Sequence, residues 1–324
     1  VAVNSASPGS PSSPSAEAAE DHGDHEGAPG RGAVGEGLWG AGVSLLALVA
    51  TFGATLFTAI PSIAIGDDTN TTKVVGTLVS SLLQNLVFVG VPILIVGLSI
   101  GGLRRADIGW RVPPRPVRVL GMVAVAFVAY IVLSALLGAA LGVGDEQDDL
   151  PGKLGADSSV LAGIAIGLAV TVLAPIGEET LLRGIVYPGL RNSVARFAPA
   201  PVAIGAAALI DGLIFGALHL GGSKAIFLPI LALFGVVLCL LYQFSGSLYA
   251  SILLHATNNT IAMKVALDWS VLGAVALWVA ALSILTLLML AARAYERGRD
   301  ARRDAAGGEP GAPGAGPRVG SAAA

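Results

Sequence analysis

Eight apolar stretches divide this chain, at approximately 38–65, 74–100, 117–142, 159–182, 201–219, 225–243, 247–266 and 270–293, each near the roughly 20 residues a helix needs to cross a bilayer. Helix is the expected form for all eight, because a segment in hydrocarbon must satisfy its own backbone polar groups. The polar connections alternate in charge. Arg104, Arg105, Arg111, Arg115 and Arg118 follow the second stretch, Asp145, Glu146, Asp148 and Asp149 the third, and Arg191 and Arg196 the fourth. Basic second and fourth loops, a basic start to the C-terminal tail and an even number of spans predict that both termini are cytoplasmic. The acidic N-terminal tail does not oppose this, since Asp and Glu contribute little to the rule.

Composition agrees with the pattern. The chain is 54% hydrophobic and only 13% charged, where a soluble globular domain carries roughly 25% charged residues. An all-α polytopic protein of the cell membrane, with about eight transmembrane helices and the lipid bilayer as its surroundings, is expected. A net charge of −3 offers nothing to a nucleic acid. The single cysteine, Cys239, excludes a disulfide framework within one chain. Residues 1–36 are rich in Ser, Pro, Gly, Ala and acidic residues and read as a disordered acidic tail. They lack the basic and apolar regions of a cleaved signal peptide. His22 and His25 in that tail read as solvated. Residues 37–157 hold the first three spans, 158–265 a core of four, 266–296 the last span, and 297–324 a second disordered tail that begins basic.

What the oily stretches spend on polar residues is more telling than their oiliness. Glu178, Glu179 and Arg183 lie in GEETLLRG, Asp211 and His219 in the fifth stretch, and His255 and Asn259 in the seventh. A charged group at the bilayer centre costs about 2.5–3.5 kcal/mol on insertion scales, so such groups face a partner, a cavity or chemistry. Glu179 and Arg183 are spaced i,i+4 and share a helical face in the favourable order for an ion pair. Glu178 points elsewhere and is left to face a cavity. His255 and Asn259 are also i,i+4. Two carboxylates, two imidazoles and a carboxamide are the parts of a water-activating hydrolase, and a carboxylate in a low-dielectric pocket is suited to general-base work.

The order EETLLR from Glu178, FGALH from Phe215 to His219 and HATNN from His255 resembles the CPBP intramembrane proteases, which include the CAAX prenyl endopeptidases and the bacteriocin-processing and Abi proteins. The resemblance covers roughly residues 158–265. It implies cleavage of a peptide bond of a membrane protein or peptide at or within the membrane. It further implies that Glu178 activates water with help from His219, and that His255 and Asn259 steady the tetrahedral oxyanion, with Glu179 and Arg183 completing the motif. Family members are often called metalloproteases, and Glu178, His219 and His255 are a plausible zinc set with a position open for water. The chain has no HExxH, however, and each ligand would come from a different segment. The residues suit a zinc-dependent and a metal-free route equally.

Other readings compete. Buried Glu, Asp and His also form relays in ion- or proton-coupled transporters, although no repeat relates the two halves. A catalytically idle scaffold or immunity protein would keep the fold, but its motifs need not be intact. Glu179 and Arg183 read first as a structural clamp, Phe215 as packing for the wall of the site, and Asn258, Gln84 and Asn85 as polar glue between helices. Asp211 has no place in the motif pattern and reads as a partner for a motif residue or as an ordinary buried hydrogen bond. One conflict is geometric: from these span edges Glu178 lies toward one end of the fourth segment and His219 toward the far end of the fifth. They meet only if the fourth helix runs on through Arg183 to about Pro188, with the fifth tilted or starting below the membrane surface.

Overall fold

A computed structural model of the chain describes residues 35–307, apart from positions 145 and 149. Residues 1–34 with His22 and His25, Asp145, Asp149, and residues 308–324 lie outside the described residues. The described residues are helical, with no strand. Eight long helical runs follow one another among the described residues: α1 Ala41–Ile65, α2 Asn70–Ile100, α3 Pro116–Leu141, α4 Val160–Val194, α5 Ala200–Leu218, α6 Ala225–Ser245, α7 Leu248–Ala266 and α8 Val271–Gly307. Seven of these are long and apolar enough to cross a membrane. The exception, α7, carries His255, Thr257, Asn258, Asn259 and Lys264 and so falls short on apolarity rather than on helix formation. The protein is an all-α, multi-pass membrane protein.

Local chemistry sets the ends. Thr69 and Thr72 cap α2 reciprocally, the Thr69 hydroxyl accepting from the Thr72 N–H at 3.1 Å and the Thr72 hydroxyl from the Thr69 N–H at 3.0 Å. The Ser159 hydroxyl caps α4 by accepting from the Ala162 N–H at 3.1 Å. Two ends depart from the sequence expectation. The fourth helix continues to Val194 rather than stopping near 182, because the polar stretch YPGLRNSV is held between other elements. The Asn192 amide donates to the carbonyls of Gly35 and Trp39, at 2.7 and 2.8 Å. The last helix runs to Gly307 rather than ending at 296, so the first part of the presumed tail is helical. Its Ala and Arg residues are strong helix formers.

The central element is α4, which packs against α1, α2, α5, α6, α7 and α8. It is not a uniform α-helix. Two π-helical stretches, Ala169–Leu173 and Thr180–Val186, interrupt it, and each ends two residues before a proline, Pro175 and Pro188. A proline removes an N–H and crowds the preceding turn, and the wider π turn relieves that crowding. Carbonyls in these turns are claimed by side chains of other helices. The Asn259 amide donates to the Val170 carbonyl at 2.9 Å, while the Trp39 indole and the Ser44 hydroxyl both donate to the Ile185 carbonyl, at 2.9 and 2.8 Å.

Helices α5 and α6 approach so closely that backbone meets backbone. A Cβ on Gly212 would sit 2.6 Å from the Ala232 carbonyl, one on Gly216 would sit 2.7 Å from the Leu228 carbonyl, and one on Gly235 would sit 2.7 Å from the Gly212 Cα. Gly212 and Gly216 form a small-xxx-small face of the kind that lets membrane helices touch. This contact fixes Asp211 and Phe215, on α5, against the inner face of α6.

Candidate functional site

Arg183 is the hub of the polar interior. Its guanidinium is 0% exposed, and three helices supply its contacts. Nη1 donates to Glu179 Oε1 at 3.1 Å within α4, and Nη2 donates to the Gly235 carbonyl on α6 at 3.0 Å. Nε stands 3.6 Å from Asp211 Oδ1 on α5. The Phe215 ring lies over the guanidinium with the ring centre 4.8 Å from Cζ, a cation–π arrangement in a water-poor setting. The i,i+4 ion pair expected from the sequence is therefore present and wholly buried.

Glu179 and Glu178, adjacent in the chain, are used differently. Glu179 is 0% exposed and its Oε1 is shared between Arg183 and His255 Nδ1, which lies 2.8 Å away. Glu178 keeps 19% of its side chain accessible, and its Oε2 sits 3.9 Å from His255 Nε2 with no hydrogen-bond partner among the described residues. That separation is too long for a direct hydrogen bond but short enough for both groups to reach one small molecule between them. A carboxylate at Nδ1 makes that nitrogen the donor, so Nε2 is the atom left to face Glu178.

His219 closes the C-terminus of α5. Its Nδ1 pairs with the Phe215 carbonyl at 2.9 Å, which again leaves Nε2 free. The Phe215 ring packs against both imidazoles, with centroids 4.9 Å from His219 and 5.6 Å from His255, and Phe234 packs against His255 at 5.5 Å and against Phe215 at 6.1 Å. Phe215 thus packs where expected, beside both motif histidines. Asn259, one turn beyond His255, is tied to the Val170 carbonyl, and the second N–H of its amide is not used in that bond.

The depth conflict between Glu178 and His219 disappears with the longer α4. Counting back from Val194 at 1.5 Å per residue puts Arg183 about 16 Å and Glu178 about 24 Å along α4; counting forward from Ala200 puts Asp211 about 16 Å and His219 about 28 Å along α5. The Arg183–Asp211 contact confirms that the two scales run level.

Glu178, Glu179, Arg183 and His255 are thus in direct contact, His219 joins them through Phe215, and Asn259 joins through α7. Among the described residues no group of three His, Cys, Asp or Glu side chains is gathered closely enough to hold a metal ion, Glu178, His219 and His255 included. Asp211, one of whose two sequence readings is a partner for a motif residue, stands beside Arg183, and the contributor that sequence reasoning missed is Cys239. Asp211 accepts from the Cys239 thiol at 3.0 Å while facing Arg183. A lone carboxylate in an apolar helix signals that a partner exists, but nothing in the sequence points to Cys239, 28 positions away.

Comparison with known proteins gives this cluster a lineage. Residues 160–261 match the family model of type II CAAX prenyl endopeptidases, Rce1-like. An uncharacterized 24.3 kDa protein of Escherichia coli is 31% identical over 164 residues, which cover 51% of this chain and 66% of that protein, so the chain spans just under two thirds of the curated relative it matches. No solved structure matches the chain. The matched segment begins at the first residue of α4 and ends two residues beyond Asn259, so all six motif residues lie inside it. The match over residues 160–261 supports the resemblance of this segment to the CPBP membrane proteases.

Proposed function

We propose that this protein is an intramembrane endopeptidase that cleaves a peptide bond of a membrane-associated protein or peptide, in the manner of CAAX proteases, with Glu178 as the base that activates water. The observation that carries this reading is the asymmetry of the glutamate pair. Glu179 is fully buried and committed to Arg183 and His255, whereas Glu178 is partly accessible and opposes a free imidazole nitrogen. Structural clamps alone do not require the second carboxylate, and keeping one beside an uncommitted imidazole in an apolar fold is costly unless chemistry uses it.

In this reading the Glu178 carboxylate takes a proton from water as the oxygen attacks the scissile carbonyl. The carbonyl oxygen becomes the oxyanion. Hydrogen-bond donors aimed at that oxygen are worth roughly 2.7–4 kcal/mol each in activation energy, and the candidates are the second N–H of Asn259 and an N–H of the His255 ring. Collapse returns the proton from Glu178 to the departing amine, with His219 Nε2 placed to assist. No step here runs through a metal ion. Zinc content is a separate measurement: stoichiometric zinc in the purified protein, lost in His255→Ala, would make His255 a ligand instead of an oxyanion donor. The Arg105 guanidinium lies over the Tyr295 ring of α8 and Arg111 donates to the Gly246 carbonyl, so the basic loop after α2 shares a face with the later part of α8 and the α6–α7 connection. We assign that basic face to the cytoplasm.

The test is to express wild type and Glu178→Ala in membranes and identify peptide fragments of membrane proteins by mass spectrometry. Fragments present only with the wild type are expected. Identical fragment sets from both would overturn the reading.

A further inference from the structure

Asp211 and Cys239 belong to none of the three motifs, yet both are 0% exposed and both belong to the network around Arg183. Burying a carboxylate without compensation is expensive. Asp211 obtains that compensation from two directions: the Arg183 guanidinium at 3.6 Å and the Cys239 thiol, which donates at 3.0 Å to the same oxygen, Oδ1. Cys239 stands one turn beyond Gly235 on α6, and the Gly235 carbonyl receives Arg183 Nη2. Four contacts therefore fix the guanidinium: Glu179 on α4, Asp211 on α5, the Gly235 carbonyl on α6 and the Phe215 face.

The plane of that guanidinium decides where Glu179 Oε1 lies, and Glu179 Oε1 decides which way His255 turns. We propose that Asp211, oriented by the Cys239 thiol, is a positioning residue that acts through Arg183 and Glu179 to aim His255 Nε2 at Glu178. Neither Asp211 nor Cys239 touches the reacting atoms. Their contribution is to keep a guanidinium from swinging between its acceptors, since two carboxylates, one at Nη1 and one near Nε, hold it more firmly than one. The inference rests on the proposed endopeptidase reading, because it specifies the geometry of that same site.

A double-mutant cycle tests it. Asp211→Asn keeps the shape and removes the charge, and is expected to lower kcat about ten- to a hundred-fold with KM within about two-fold, the signature of misplaced catalytic groups. If Asp211 acts through Arg183, then Asp211→Asn placed on an Arg183→Lys background lowers kcat no further, whereas independent effects multiply. Cys239→Ser, which keeps a donor, is expected to retain more of the rate than Cys239→Ala, and this pair gives the answer even if Asp211→Asn does not fold. Wild-type kcat in Asp211→Asn, multiplicative loss in the double variant, or equal rates for the two Cys239 variants would each overturn the assignment. Glu178→Gln, assayed alongside, separates the two levels: if it cleaves normally the endopeptidase reading fails, and if it is dead while Asp211→Asn is normal only the positioning role fails.

Discussion

Helices α3 and α6 are both uninterrupted apolar runs of similar length, yet they live in different surroundings. In its most apolar stretch α6 buries 44% of its residues inside the protein, and α4 and α5 bury 44% and 39%, whereas α3 and α8 bury 11% each. Apolarity does not separate them, because lipid tails and a protein core make the same demand on a side chain. Glycine does. A Cβ on Gly121 of α3 would meet nothing within 4 Å, while one on Gly235 of α6 would land 2.7 Å from the backbone of α5. Glycine and buried polar atoms mark the helices that build the site, and exposed branched aliphatics such as Val125 and Leu136 mark those that only surround it.

The sharpest break in this contrast comes from chemistry rather than packing. Glu178→Gln is expected to lower turnover by about 10²–10⁴-fold, the usual contribution of a general base, while leaving the thermal unfolding midpoint in detergent near that of the wild type. Near wild-type cleavage would remove Glu178 from its role. Next in size is Arg183→Ala, which strands Glu179 and Asp211 without their shared counter-charge. Breaking a buried pair from one side costs about 3–5 kcal/mol, so this variant is expected to unfold well below Glu178→Gln in the same melting experiment. Equal midpoints would mean that Arg183 is not a buried anchor.

Smaller effects then divide the core from its surround. Gly235→Ala forces a methyl against the α5 backbone, and overpacking of this kind costs about 1–3 kcal/mol. Gly121→Ala projects the same methyl into open space and is expected to be neutral or to stabilise by up to about 1 kcal/mol, the helix preference of Ala over Gly. Thermal melts of the two variants side by side check the pair. If both are neutral, the close approach of α5 and α6 is not a determinant of stability.

Hydropathy and spacing made much of this legible in advance. The eight helices appear close to their expected positions because apolar run length is a local property, and the Glu179–Arg183 pair appears because i,i+4 spacing is local as well. The failures were of two kinds. Helix ends at Val194 and Gly307 depend on propensity and on packing by Gly35 and Trp39, neither of which a hydropathy pattern encodes. The Asp211–Cys239 and Asn259–Val170 contacts join residues far apart in the chain, and one of them uses a backbone carbonyl, which has no letter in the sequence at all.

The π turns of α4 add a form of information that residue identities do not carry. A helix advances about 100° and 1.5 Å with each residue, so deleting one residue between Ala169 and Leu173 would rotate Val170 and everything before it relative to Glu178 and everything after it. The Val170 carbonyl would leave Asn259, and the carboxylates would face a different set of neighbours, although EETLLR, FGALH and HATNN would all still be spelled correctly. The site is therefore encoded in chain length as well as in composition. Related chains one residue shorter in this stretch can be intact by motif and broken by register, and a census of such chains has to count residues as well as read them.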